Sequence, residues 1–332
     1  MNNIAFYCDY DKQVFKDRLF SNPSPDYENL FSQLKKKKYC LHTLDIFKKR
    51  GIDPNLCIFL DMPKRPISKI INLKKTKSLL LLREGEHIIK INFDYKRHKD
   101  FTNILTWKKK LIDNKKYFFM NCGRSYIPRD KLQINFDRRS LCTIINSNLR
   151  SNNKNELYSH RLKVIKWFEN YHLKDFDLYG YGWDKLSIFL GNRKIISTHI
   201  FGNPRKSFKG TPRDKISTLS KYKFCICFEN GIIESHIDEK IIDCFNARVI
   251  PIYYGAPDIK EFVSEKCFID FRRFNNLDEM YDFMISMTKK EYLRYISNIE
   301  NYLLCENYKK YFSIESWADS VQKRVLALTK NI

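Results

Sequence analysis

The run Lys221-Tyr-Lys-Phe-Cys-Ile-Cys-Phe-Glu229-Asn230, followed by His236-Ile-Asp238-Glu239-Lys240 and then by Val249-Ile-Pro-Ile-Tyr-Tyr-Gly255-Ala-Pro257, decides the fold. It reads as strand, polar loop, helix, strand and tight turn: two short apolar runs with a helix-length segment between them. Carboxylates, an amide and a lysine gather where the first strand gives way to the helix. In an open α/β sheet, ligands bind at the carboxyl ends of the strands. A helix start with a lysine in its first turn suits phosphate, and Glu239 beside it can accept hydrogen bonds from sugar hydroxyls. Together these groups suit a nucleotide-sugar diphosphate better than a bare anion.

The same alternation extends in both directions. Strands are predicted at 4–8, 56–61, 78–83, 103–107 and 117–121, with helices at 27–37 and 40–50. The turn-rich segment 122–140 is the natural linker. A second series follows, with strands at 141–147, 176–180, 223–229, 249–254 and 267–270 and helices at 156–171, 238–247, 278–289, 290–306 and 314–330. Short apolar strands spaced by helices argue for parallel sheets covered on both faces. Asp238 is expected to cap its helix or to lie in the first turn. A complete GxGxxG fingerprint and a Walker loop are absent, and Gly180-Tyr-Gly182 lacks the third glycine of a dinucleotide site.

The 332 residues suit two medium domains, and 43% hydrophobic residues can fill two cores. No stretch approaches the roughly 20 apolar residues of a spanning helix. The start, Met1-Asn-Asn-Ile-Ala-Phe-Tyr-Cys8, reads as a strand and not as a signal peptide. The 10 cysteines sit mostly in apolar runs, which fits reduced thiols in a cytosol. Cys225 and Cys227 share a strand face, but further zinc ligands are missing. The net charge of +23, from 61 Lys+Arg against 38 Asp+Glu, admits three readings. It can be spread over solvated faces, attract an anionic membrane surface or bind nucleic acid. Aromatics lie in core strands and are not interleaved with basic residues, which disfavours nucleic acid.

The order Tyr222-Lys-Phe, Glu229-Asn230, Glu239-Lys240, Pro251-Ile-Tyr-Tyr-Gly255 resembles the donor-site signature of the α-1,3/1,4-fucosyltransferase family, glycosyltransferase family 10, in its bacterial form. The lead-in Phe208-Lys209-Gly210…Leu219-Ser-Lys-Tyr222 is also similar, as is Ile144-Ile-Asn-Ser147-Asn148 with Arg161 downstream. So is Leu79-Leu-Leu-Leu-Arg83-Glu84-Gly85-Glu86-His87 with Asn92-Phe-Asp94, His98-Lys-Asp-Phe101 and Leu105-Thr-Trp107. The sequence departs from the family at His236-Ile-Asp238, where Tyr-Val/Ile-Thr/Ser is usual, and at Tyr254, which replaces a tryptophan. The similarity runs from about residue 75 to about residue 325.

The resemblance implies an α/β GT-B-like fold, two Rossmann-like domains facing across a cleft. Residues 1–125 would bind the acceptor and carry the catalytic base, and residues 126–332 would bind the donor and include the C-terminal helices. It implies an inverting α-1,3-fucosyltransferase that moves L-fucose from GDP-fucose to an N-acetylglucosamine or glucose hydroxyl of a cell-surface glycan of lipopolysaccharide or O-antigen type. Glu84 is the implied base, with Glu86 as the alternative. Ser147, Asn148, Arg161, Lys209, Asn230, His236, Glu239 and Lys240 are the implied donor contacts, with Arg150 competing with Arg161. No metal site is expected, and Mn2+ or Mg2+ would act at most as a stimulant. The expected partners are the nucleotide sugar and an oligosaccharide or glycolipid acceptor, with peripheral contact to an anionic membrane and no nucleic acid. The expected location is the cytoplasm or the cytoplasmic face of a membrane. A same-fold transferase using another NDP-sugar is the alternative. A basic nucleic-acid-binding protein and a non-catalytic glycan-binding relative are more remote.

Overall fold

The structure, a computed structural model, describes residues 2–9, 20, 24–86, 88–126, 128, 135–190, 193–201 and 204–330. It divides into two compact units, Met1–Ser125 with Lys309–Ile332, and Tyr126–Tyr308.

The first unit is built on β1 (Asn3–Tyr7), β2 (Cys40–Thr43), β3 (Leu56–Leu60), β4 (Lys77–Leu82), β5 (Asn103–Thr106) and β6 (Tyr117–Phe119). The order is β2-β1-β3-β4-β5-β6 and every pairing is parallel. Successive side chains of a strand point to opposite faces. Ile58 and Leu60 therefore pack with Leu79 and Leu81 on one side, and Cys57 and Phe59 pack with Leu80 and Leu82 on the other. Helix α1 (Pro25–Lys36) supplies Leu30, Phe31 and Leu34 to the first side, and α2 (Leu44–Lys49) supplies Phe47 to the second.

Two expectations are corrected here. The helix expected over 40–50 begins with strand β2, because Cys40–Thr43 continues the sheet beside Asn3–Phe6; the helix starts after Thr43. The C-terminal helix Ile314–Thr329, expected in the second domain, belongs to the first unit. Its Trp317, Ala318, Val321, Val325 and Leu328 complete the core beside β1, β3 and β4, and Trp317 meets Tyr27 edge to face at 5.2 Å.

The second unit contains β7 (Ser140–Ile145), α3 (Tyr158–Tyr171), β8 (Phe176–Tyr179), β9 (Lys185–Leu190), β10 (Arg193–Phe201), α4 (Lys215–Leu219), β11 (Tyr222–Phe228), α5 (Lys240–Asn246), β12 (Ile250–Tyr254), β13 (Ile269–Asp270), α6 (Leu277–Ser286) and α7 (Lys289–Leu304). Its parallel sheet has the order β13-β12-β11-β7-β8, and β9 and β10 form a separate antiparallel hairpin. Strand order reverses between β7 and β11: β8 lies outside β7, whereas β12 and β13 lie outside β11. Such a switch point opens a crevice at the carboxyl ends of the strands. Asn146–Asn148 follow β7 there, and Glu229 and Asn230 follow β11.

Trp317 is 3% exposed, so Trp317→Ala is expected to cost about 3–5 kcal/mol. Hydrogen exchange should show faster opening of β1, β3 and β4. Unchanged protection of those amides would contradict the assignment of this helix to the first unit.

Candidate active site

At the switch point of the second unit, helix α3 aims a buried arginine at the end of β11. The Arg161 guanidinium donates from Nη2 to the Phe228 carbonyl at 2.7 Å and to Asn230 Oδ1 at 3.0 Å. Asn230 Nδ2 lies 3.4 Å from Asp238 Oδ2. Lys240 Nζ donates to the same Asp238 oxygen at 2.7 Å and to Glu229 Oε2 at 3.1 Å. Glu229 Oε1 accepts the Asp238 N–H at 3.1 Å, and its own N–H donates to the Tyr254 carbonyl at 2.8 Å. One network therefore joins Arg161, Asn230, Asp238, Lys240 and Glu229.

Gly255 makes room for this arrangement. A Cβ there would lie 2.3 Å from Glu229 Cγ and 2.6 Å from Tyr253 Oη. The glycine of the Pro251–Gly255 strand end is thus a packing requirement of the buried acid. On the β7 side, Gly180 has φ +130, and a Cβ would fall 2.0 Å from the Asn146 carbonyl oxygen. The Gly180-Tyr-Gly182 turn packs against the end of β7, where the Asn146 and Asn148 N–H groups donate to the Tyr179 and Tyr181 carbonyls.

Glu229 is fully buried. Burial pushes its carboxyl up to about 7; Lys240 pulls it back, and Asp238 adds to the rise. Burial alone would weaken the Lys240 ammonium, but Asp238, Glu229 and Glu239 outweigh it and hold its pKa well above the ordinary lysine value. Lys240 is therefore charged at neutral pH, while Glu229 stands close to protonation. Lys215 Nζ pairs with Asp243 at 2.6 Å and lies 4.0 Å from Glu239. The site thus holds the cations Arg161, Lys215 and Lys240 among the acids Glu229, Asp238, Glu239 and Asp243. An anionic ligand at Lys240 must displace or share these carboxylates.

Asp238 does not cap the helix. α5 begins at Lys240 with Glu239 at the N-cap and no side-chain cap, so the Asp238 carboxylate is spent on Lys240 and lies 3.6 Å from His236 Nε2. His236 is 3% exposed. Ser147 and Asn148 lie in the loop after β7, and Asn148 Nδ2 donates to the Gly182 carbonyl at 2.9 Å. Arg150 is exposed on the same loop. Lys209 is not gathered with Lys240: its Nζ lies 3.4 Å from Asp177 on edge strand β8. Glu229, Lys215 and Asp243 were given no role in the sequence reading. The signal for Glu229 was its place as the first acid after an apolar strand.

In the first unit, Glu84 and Glu86 follow β4. The strand ends at Leu82, so strand alternation does not put them on one face: Glu84 is half-buried and Glu86 exposed. His98 is 1% exposed. Its Nε2 donates to the Asn92 carbonyl at 2.8 Å, which leaves Nδ1 to accept from Tyr117 Oη at 2.9 Å. Both ring nitrogens are used structurally, and burial lowers the pKa of the ring. His87 lies outside the described residues.

A carboxyl raised in the folded state contributes stability below its ordinary pKa and loses it as pH rises through the folded value, here about 7. Lys240→Ala removes the counter-charge. It is expected to destabilise by about 3–5 kcal/mol above about pH 8, the cost of orphaning one buried partner. The loss should be smaller below about pH 6, where Glu229 takes up a proton. Denaturant unfolding of parent and variant against pH checks this, and a difference that does not change with pH would contradict the pairing.

Residues 186–324 match the family model described as glycosyltransferase family 10 (fucosyltransferase) C-term. An α-(1,3)-fucosyltransferase of Helicobacter pylori is 33% identical over 133 residues, covering 40% of this chain and 27% of the relative. A bovine 4-galactosyl-N-acetylglucosaminide 3-α-L-fucosyltransferase 9 is 28% identical over 108 residues, covering 31% of this chain and 30% of the relative. The chain thus matches less than a third of the length of each of these relatives. A crystal structure of an α1,3-fucosyltransferase with GDP-fucose superposes with a TM-score of 0.58 and 17% identity over 100% of this chain and 91% of the other. That likeness gives the fold, GT-B. Over residues 186–324, the chain is thus similar to the C-terminal domain of glycosyltransferase family 10 (fucosyltransferase).

Proposed function

We propose that the chain is an inverting α-1,3-fucosyltransferase that moves L-fucose from GDP-fucose to a hydroxyl of an N-acetylglucosamine or glucose unit in a cell-surface glycan of lipopolysaccharide or O-antigen type. The observation that supports this reading most is the joining of Arg161, Asn230 and Lys240 in one network at the switch point of the donor unit. Lys240 and Arg161 supply charge-assisted donors for the diphosphate, Glu239 accepts from ribose or sugar hydroxyls, and Asn230 contacts the fucose end. His236 lines the same loop, Ser147 and Asn148 border the crevice from β7, and Lys209 adds positive charge farther out.

An inverting transfer needs a base to take the acceptor hydroxyl proton as that oxygen attacks the anomeric carbon. Glu84, half-buried at a strand end, is given that role, with Glu86 as the alternative. The chemistry needs no metal, and Mn2+ or Mg2+ would act as a stimulant. The acceptor is an oligosaccharide or a glycolipid. No helix among the described residues is long and apolar enough to cross a membrane, and the net charge of +23 supports peripheral contact with an anionic cytoplasmic leaflet, at about 1 kcal/mol per basic residue near the surface. A second reading, the same fold with another NDP-sugar, is favoured by the Asp238 carboxylate 2.7 Å from Lys240 Nζ.

GDP is expected to raise the unfolding temperature much more than UDP. A ligand that binds the native state alone adds about 2.7 kcal/mol at a hundredfold excess over its dissociation constant. Equal shifts with the two nucleotides would remove the guanine assignment.

Glu84→Gln keeps the side-chain shape but cannot accept a proton. It is expected to slow transfer by about 10²–10⁴-fold while GDP binding to the other unit is kept. If Glu86→Gln is the inactive variant instead, the base lies two positions along.

A further inference from the structure

We infer that Asp61 is the positioning residue that sets the loop carrying Glu84. The inference rests on the reading of Glu84 as the base. Asp61 follows β3 with φ +63, a left-handed conformation that aspartate tolerates better than most residues. It is 5% exposed. Its N–H closes the β3–β4 ladder by donating to the Leu81 carbonyl at 2.9 Å. Its Oδ1 then accepts three hydrogen bonds: from the Arg83 N–H at 2.7 Å, the Glu84 N–H at 3.0 Å and Asn92 Nδ2 at 2.8 Å.

Those bonds lie where the ladder has stopped. β4 ends at Leu82, so strand pairing no longer holds Arg83 and Glu84. Asn92, wholly buried, completes the clamp. Its Nδ2 also donates to the Glu84 carbonyl at 2.8 Å, and its Oδ1 accepts the Met62 N–H at 2.8 Å. Trp107 Nε1 closes on the Arg83 carbonyl at 3.1 Å. The Arg83 carbonyl, the Glu84 N–H and the Glu84 carbonyl are all held, which fixes the point from which the Glu84 side chain springs.

A buried carboxylate on a left-handed residue is a costly way to tie a loop. The bonds it makes converge on Glu84 from both sides. A base must lie within hydrogen-bond reach of the proton it takes, and an error of about 1 Å costs on the order of 10²-fold in rate. Asp61 holds that tolerance without touching substrate.

The test compares Asp61→Gly, Asp61→Asn and Glu84→Gln by GDP release from GDP-fucose with a 4-galactosyl-N-acetylglucosaminide acceptor. Glycine keeps the left-handed backbone and removes the acceptor. Asparagine keeps a carbonyl oxygen where Oδ1 stands and also tolerates the left-handed region. Asp61→Gly is expected to lose about 10²-fold in kcat with GDP affinity unchanged, and Asp61→Asn to recover most of it. In the Glu84→Gln background, Asp61→Gly should cause no further loss, because nothing is left to position. If Asp61→Gly does not fold, Asn92→Ala opens the other arm of the same clamp and should show the same fall in kcat. If Glu84→Gln is slow but Asp61→Gly (or Asn92→Ala) keeps the parent kcat, or if its loss adds in full to that of Glu84→Gln, the positioning role is overturned alone. If Glu84→Gln keeps the parent rate, the base assignment fails and the inference fails with it.

Discussion

Glu229 is a carboxylate with no route to water, and the strand ends of the second unit are organised around that constraint. A buried charge must be paired or lose its charge. Here Lys240 pairs with it, the Asp238 N–H bonds it, and Gly255 leaves the space it fills. The pairing draws the start of α5 against the end of β11. That in turn brings Asp238 and Asn230 together and gives Arg161 its partners at Phe228 and Asn230. The positions of Lys240, Asp238, Asn230 and Arg161 follow from neutralising one acid.

The first unit solves a related problem by other means. Asp61 is also a buried acid just past a central strand, but it is satisfied by backbone N–H groups and by Asn92. In both units the polar groups gather beyond the carboxyl ends of parallel strands, where the ladder stops and side chains take over the work of fixing the chain. The second unit uses an ion pair, whose strength is expected to depend on pH. The first unit uses directional hydrogen bonds, which fix the geometry of a loop.

Much of this was legible before the structure. Parallel strands buried on both faces leave unbroken apolar runs, so Leu56–Leu60, Lys77–Leu82 and Tyr222–Phe228 were visible as strands to within a residue or two. The lysine at the start of α5 stood out as a charge beside a strand end, whereas the arginine on α3 was singled out by the resemblance alone. Strand β2 was missed because Cys40–Thr43 is short and runs straight into a helix. The place of Trp317 and Val321 in the first unit carried no local signal, because it is a contact between chain ends. The positive φ of Asp61 leaves no trace in a sequence that reads as the end of a strand. Glu229 was visible as part of a motif, but its burial depends on Gly255 and Tyr254, which arrive from the next strand. Asp238 looked like a helix cap by position and is instead a partner of Lys240, because the helix starts later than its polar run suggests.

The most direct test of this account is a carbon-detected NMR titration of the Glu229 side-chain carboxyl, with and without GDP. The account predicts a midpoint near 7 in the free protein, and an upward move when GDP competes for Lys240 and leaves the buried acid less well paired. A midpoint in the ordinary range for an exposed glutamate, about 4.3, unmoved by GDP, would contradict it.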